Sequence, residues 1–235
     1  MEKQTTLQKL SVPLAIIVAG ALIAGALYFS GNKSTKNQPT AQIPTAVSAE
    51  GMRPVDDTDH ILGNPKAELI IVEYSDTECP FCKQFHSTMR RIMDTYGKDG
   101  KVAWVYRHFP IDQLHSKARK EAEATECAAD QGGNDKFWAF TNAVYEKTTS
   151  NNTLDPKQLP IIAKEVGLDV NAFNNCLSSG KFAAKVEAHY QDGLKAGARG
   201  TPYSLIITKK DGTKVPINGA QPYDSLKGTL DLLLK

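Results

Sequence analysis

An apolar strand that runs into Cys-Pro-Phe-Cys at the mouth of a helix constrains this chain more than any other feature. Ala67-Glu68-Leu69-Ile70-Ile71-Val72-Glu73-Tyr74 is rich in β-branched and aliphatic residues and predicts a largely buried strand. The polar residues Ser75-Asp76-Thr77-Glu78 follow, then Cys79-Pro80-Phe81-Cys82. Phe85, Met89, Ile92, Met93 and Tyr96 then recur with helical spacing until Gly97. Pro80 suits the first helical position, where its missing N–H costs nothing.

Cys79 is thereby placed at a helix N-terminus. Unpaired N–H groups and the positive end of the helix dipole favour thiolate there, and thiolate is the attacking species in disulfide exchange. Cys79 is the expected nucleophile. Cys82, one turn further in, is placed to resolve a mixed disulfide and is expected to be the more buried and less acidic sulfur. Two other readings of the motif compete. A CxxC can be half of a zinc site, and His86 follows Cys82 by one helical turn, but no second pair with zinc-like spacing is present and no metal is expected. A purely structural bridge across so short a loop would add little stability.

The remaining cysteines, Cys127 and Cys176, make the total four, and four cysteines allow three pairings. An even number suits an exported chain, where disulfides persist.

The N-terminal fifty residues read differently from the rest. From Leu10 to Phe29 there is no charged residue, and as a helix this run would span about 30 Å. The expectation is a cytoplasmic tail over 1–9, a transmembrane signal anchor over 10–29, a flexible linker over 30–56 and a folded domain over 57–235. The alternative is a signal peptide cut after Ala24-Gly25-Ala26, which would leave a secreted or periplasmic protein. Residues 1–50 hold four of the 28 basic and two of the 26 acidic residues, so the remainder carries 24 of each. That balance leaves no basic footprint for nucleic acid. Lys33 and Lys36 offset Lys3 and Lys9, so the charges mark orientation weakly, and the cysteines place the domain on the extracytoplasmic side.

The segment from Glu73 to Cys82 resembles the active-site segment of DsbA-type thiol–disulfide oxidoreductases. So do Tyr106-Arg107-His108-Phe109-Pro110, Glu126-Cys127-Ala128, Lys136-Phe137-Trp138, Phe173-Asn174-Asn175-Cys176-Leu177 and Gly200-Thr201-Pro202. The similarity runs from about residue 58 to about residue 230. It implies an α/β, thioredoxin-like fold with an inserted helical subdomain over about 115–198. Helix-period apolar positions in His115–Asp130, Asp135–Glu146, Pro156–Val166, Asn171–Leu177 and Ala183–Ala196 are consistent with such an insertion.

Several site assignments rest on that resemblance. By sequence alone Pro202 reads as a trans proline opening a strand; the resemblance implies a cis proline facing the CxxC. Thr201 before it would contact the substrate backbone, and Phe81 would lie at the substrate surface. Glu73 either faces solvent at the strand's end or, as the resemblance implies, is a partly buried proton acceptor for Cys82. Cys127 and Cys176 are implied to form a structural bridge. His108, His115 and Trp138 read as core or surface fillers. The strongest oxidants of the family carry His where this chain has Phe81, which bears on oxidising power. The implied activity is the introduction of disulfides into exported proteins through Cys79 and Cys82, by a monomer needing no diffusible cofactor. A quinone-linked membrane partner would reoxidise the pair. A membrane-tethered reductase or isomerase, and a binding or chaperone-like module with an inert disulfide, are the competing functions.

Overall fold

A computed structural model of the chain describes residues 51–235. The anchor, the tail and most of the linker lie outside them. Among the described residues no helix is long and apolar enough to cross a membrane.

Five strands form one sheet in the order β1-β3-β2-β4-β5: His60–Leu62, Leu69–Ser75, Val102–His108, Tyr203–Thr208 and Lys214–Asn218 for β1 to β5. β2 lies at its centre, parallel to β3 and antiparallel to β4. Covered on both faces, it reads as a near-continuous apolar run, as the sequence suggested. Alternation assigns Leu69, Ile71, Glu73 and Ser75 to one face, and Val72 and Tyr74 to the other.

The first face packs against helix α1 (Pro80–Ile92), which a π-helical turn (Met93–Gly97) extends, and against α6 (Tyr223–Leu233). Phe85, Met89, Ile92, Leu226 and Leu230 join Leu69, Ile71, Trp104 and Tyr106 in this core. The second face is covered by α5 (Ala183–Ala196), whose Gly193 allows the closest approach. A Cβ there would lie 2.5 Å from the Phe109 ring and 2.9 Å from that of Tyr74.

Between β3 and β4 lie only helices: α2 (Ala118–Lys147), α3 (Gln158–Glu165), α4 (Val170–Ser179) and α5. The long α2 is broken at Gly132 and Gly133, the latter at φ 63°, which corresponds to the boundary between the two helices expected there. Phe140, Val144, Leu159, Ile162 and Phe173 give this helical region a core of its own. The Cys127–Cys176 disulfide ties α2 to α4 across 49 residues. Replacing both cysteines by alanine is expected to cost about 2–4 kcal/mol, most of it through the unfolded chain. Denaturant titration of the variant checks this, and an unchanged midpoint would count against it.

The linker expected over 30–56 ends too late. Met52 is buried in the core beneath α5, and the Arg53 amide donates to Asp192 Oδ1 at 2.6 Å. The polar composition of this stretch concealed its attachment, because Met52 alone of it joins the apolar core deeply and the Arg53 backbone is held by a buried ion far along the chain.

Candidate active site

The end of β2 and the start of α1 bring Cys79 and Cys82 together beneath the loop before β4. Cys79 occupies the helix N-cap position, with extended backbone and Pro80 beginning the helix. Its thiol lies 3.5 Å from the carbonyl oxygen of Thr201, and the Thr201–Pro202 peptide is cis. A cleft of about 300 Å³ opens beside this peptide, lined also by Arg199, Tyr203 and Asn218. Phe81 projects outward, 61% exposed, an unusual position for so large an apolar ring.

The two sulfurs sit in opposed electrostatic environments. Cys79 is drawn down to about 6, chiefly by hydrogen bonding from the Cys82 thiol. Burial works against this, while the Thr201 hydroxyl and the N–H groups of Cys82 and Phe81 add to it. Cys82 is wholly buried and pushed well above its ordinary value, first by burial, then by the Cys79 sulfur and the charge of Glu73. The Asp76 amide reaches its sulfur at 3.5 Å.

Glu73 does not face solvent. It is fully buried, and burial raises its carboxyl to about 7, with the polar Ser75 and Trp104 side chains pulling the other way. The Trp104 indole N–H donates to Oε2 at 2.9 Å, whereas Oε1 has no partner. Only the period-two alternation of the strand could have announced this, since it puts Glu73 on the face of Leu69 and Ile71.

His86 is turned away from the cysteines. Its Nε2 lies 2.7 Å from Asn142 Oδ1, its ring packs on Trp104 and Tyr145, and burial lowers it to about 4. His108 and His115 are buried but paired, His108 with Glu126 at 3.0 Å and His115 with Asp76 at 2.9 Å. Trp138 packs edge-on against Tyr106 and Phe137.

Glu78, which sequence reasoning passed over, directly precedes the nucleophile and ties it to the turn after α2. Its carboxylate accepts from the Thr148 hydroxyl at 3.1 Å, the Asn152 amide at 2.7 Å and the Leu154 amide at 3.3 Å. Ser150, Asn151 and Asn152 all have positive φ in this turn, a conformation that asparagine tolerates better than most residues. Repeated Ser and Asn in a loop were its one sequence signal. Glu121, raised to about 8 mainly by burial, sits beside Glu78 and accepts from the Thr77 hydroxyl at 2.7 Å.

Residues 55–231 match the family described as Thioredoxin. The chain belongs to the thioredoxin family. Its backbone superposes on Pseudomonas aeruginosa DsbA2 with a TM-score of 0.63 at 26% identity, covering 77% of this chain and 97% of that one. For Wolbachia pipientis alpha-DsbA1 the TM-score is 0.68 at 26% identity, covering 80% and 96%. In sequence it is 31% identical over 170 residues to the Na(+)/H(+) antiporter NhaA 1 of Mycolicibacterium gilvum, covering 71% of this chain and 26% of the relative. The chain thus spans about a quarter of the length of the curated relatives it matches. Both of the solved structures it superposes on here are DsbA proteins, and Cys79 and Cys82 are its close cysteine pair.

Proposed function

We propose that this chain is a DsbA-type thiol–disulfide oxidoreductase, acting as an oxidase that introduces disulfides into exported proteins. The observation that carries the reading is the contrast between its sulfurs: Cys79 is drawn down to about 6 while Cys82 is driven far up. A stabilised thiolate favours the reduced enzyme, so its disulfide is readily given away, and it makes Cys79 a good leaving group.

In this scheme a substrate thiolate attacks Cys79 Sγ of the Cys79–Cys82 disulfide. The electron pair of the broken bond passes to Cys82, which takes up a proton; Glu73 is its source. The second substrate thiol, as thiolate, attacks the substrate sulfur of the mixed disulfide and releases Cys79. The substrate leaves oxidised and the enzyme dithiol reduced. Thr201 offers its backbone to an extended peptide in the cleft beside Pro202, and Phe81 supplies apolar contact.

The wider setting belongs to the same proposal. Residues 10–29 anchor the chain, the domain faces the extracytoplasmic side, and a quinone-linked membrane partner reoxidises a monomer. The reductase or isomerase reading is favoured by one residue, Phe81, which cannot hydrogen-bond to a thiolate as a histidine would.

The reduction potential tests direction. Equilibration with glutathione is expected to place it above about −200 mV, and a value near that of thioredoxin, about −270 mV, overturns the oxidase. With oxidised glutathione present to charge Cys79 as a glutathione mixed disulfide, Cys82→Ser is also expected to accumulate a mixed disulfide between Cys79 and a reduced single-thiol test protein, glutathione leaving as its thiol, seen as a band lost on reduction. If no such adduct forms, Cys79 is not the attacked sulfur.

A further inference from the structure

Disulfide exchange needs both sulfurs held in place while the bond between them breaks and re-forms, and Asp76 is bonded to both cysteines. It follows β2 directly. Its carbonyl oxygen accepts from the Cys79 N–H at 3.2 Å, closing the turn that leads into α1. Its own N–H donates to Cys82 Sγ at 3.5 Å.

The rest of Asp76 is clamped. The residue is buried, and its Oδ1 accepts from the Glu78 N–H at 2.8 Å, a bond that aspartate commonly makes two residues on in a turn. Oδ2 accepts from the Ile111 N–H at 2.8 Å and lies 2.9 Å from His115 Nδ1. Burial pushes the carboxyl up, and these donors work against it. Tyr145 secures the carbonyl. Its Oη lies 3.0 Å from the hydroxyls of both Ser75 and Tyr106, and its O–H donates to the Asp76 oxygen at 3.3 Å. A turn by itself would need only the bonds to Glu78 and Cys79. Ile111, His115 and Tyr145 lie 35, 39 and 69 positions away, and their bonds serve no turn. They fix the residue whose N–H faces Cys82.

We propose that Asp76 is a positioning residue for the leaving sulfur: its clamped main-chain N–H stabilises Cys82 Sγ as the Cys79–Cys82 bond breaks. An incoming thiolate attacks Cys79 Sγ, the new S–S bond forms there, and the electron pair of the old bond moves to Cys82 Sγ. The Asp76 N–H gives a hydrogen bond and keeps its proton; Glu73 supplies the proton that neutralises the sulfur. A donor already in place when charge develops costs no reorganisation, and its bond strengthens as the acceptor becomes charged. Burial, the Cys79 sulfur and the charge of Glu73 all oppose charge on Cys82, so the donor acts where little else favours that charge. The proposal rests on the exchange at Cys79 and Cys82 described above and adds the group that receives the leaving sulfur.

Stopped-flow reduction of the Cys79–Cys82 disulfide by dithiothreitol tests it. Asp76→Ala removes the carboxylate clamp and leaves the peptide, and the rate is expected to fall about tenfold, as for loss of a hydrogen bond to a charged acceptor. A second reaction does without Cys82. In Cys82→Ser carrying glutathione on Cys79, dithiothreitol thiolate breaks the mixed disulfide with glutathione or Cys79 leaving. There Asp76→Ala is expected to change the rate by less than about twofold. A merely displaced turn would slow both reactions alike; equal slowing overturns the proposal, and so does no slowing of either. If Cys82→Ser forms no glutathione adduct, Cys79 is not the attacked sulfur, and the exchange reading falls together with the role of Asp76. A third measurement leaves Asp76 intact and decides even if Asp76→Ala does not fold. In isotope-labelled, reduced protein the Asp76 amide proton resonance is expected to move upfield on Cys82→Ala, because its acceptor is gone. A resonance that stays in place overturns the proposal.

Discussion

Glu73→Gln is expected to stabilise the reduced protein by about 3 kcal/mol above pH 8, and to change nothing below about pH 4. The native carboxyl titrates near 7 because it is buried, whereas the ordinary value is 4.5. Between these values the native state binds the proton that the unfolded chain has already released. Wild-type stability therefore falls as pH rises from 4.5 through 7, and the loss persists at higher pH. Glutamine removes the titration and can still accept from the Trp104 indole. Urea denaturation of both proteins across this range should give curves that meet at low pH and separate above neutrality. Parallel curves would mean that Glu73 is not held as a neutral acid. The variant is at the same time expected to exchange disulfides on the order of 10²-fold more slowly, so stability and activity move in opposite directions at one residue.

Arg107→Met is expected to cost about 3–5 kcal/mol. The guanidinium is fully buried in β3, on the sheet face opposite Tyr106. Its Nε and Nη2 reach the two oxygens of Asp59 at 2.9 and 2.8 Å, and Nη1 reaches Asp192 at 2.7 Å. The carbonyls of Arg53 and Pro54 take further bonds at 3.1 Å each. Methionine would fill the space but leave the buried carboxylates without that partner. Arg53 continues to contact Asp59 at 2.6 Å, yet it is partly exposed and cannot replace the bidentate pair. Because Arg107 holds the backbone of Arg53 and Pro54, hydrogen exchange should quicken first across residues 52–59. A loss below about 1 kcal/mol, with unchanged protection there, would show that Met52 and its apolar neighbours hold the segment by themselves.

The site was unevenly legible in the sequence. The Cys-Pro-Phe-Cys motif and its strand–helix setting could be placed because each depends on local pattern: β-branched residues, a proline at a helix start and apolar positions at helical spacing. Pro202 was legible only through family resemblance, since nothing in the local sequence distinguishes a cis from a trans proline. Glu78 and Tyr145 could not be assigned. Their roles depend on contacts 70 or more positions away along the chain, as between Ser75 and Tyr145, or Glu78 and Leu154. The docked end of the linker was hidden for the same reason, with Arg53 meeting Asp192 across 139 positions.

By itself the sequence determined that Cys79 opens a helix after a buried strand, and so which sulfur gains from the helix N-terminus. That follows from local backbone preference. Only the tertiary structure decided what surrounds the pair. Packing against Trp104, Tyr106 and Tyr145 removes water from Cys82 and Glu73, and burial is the largest influence on both groups. Desolvation depends on what the rest of the chain brings to that point, which no local pattern records.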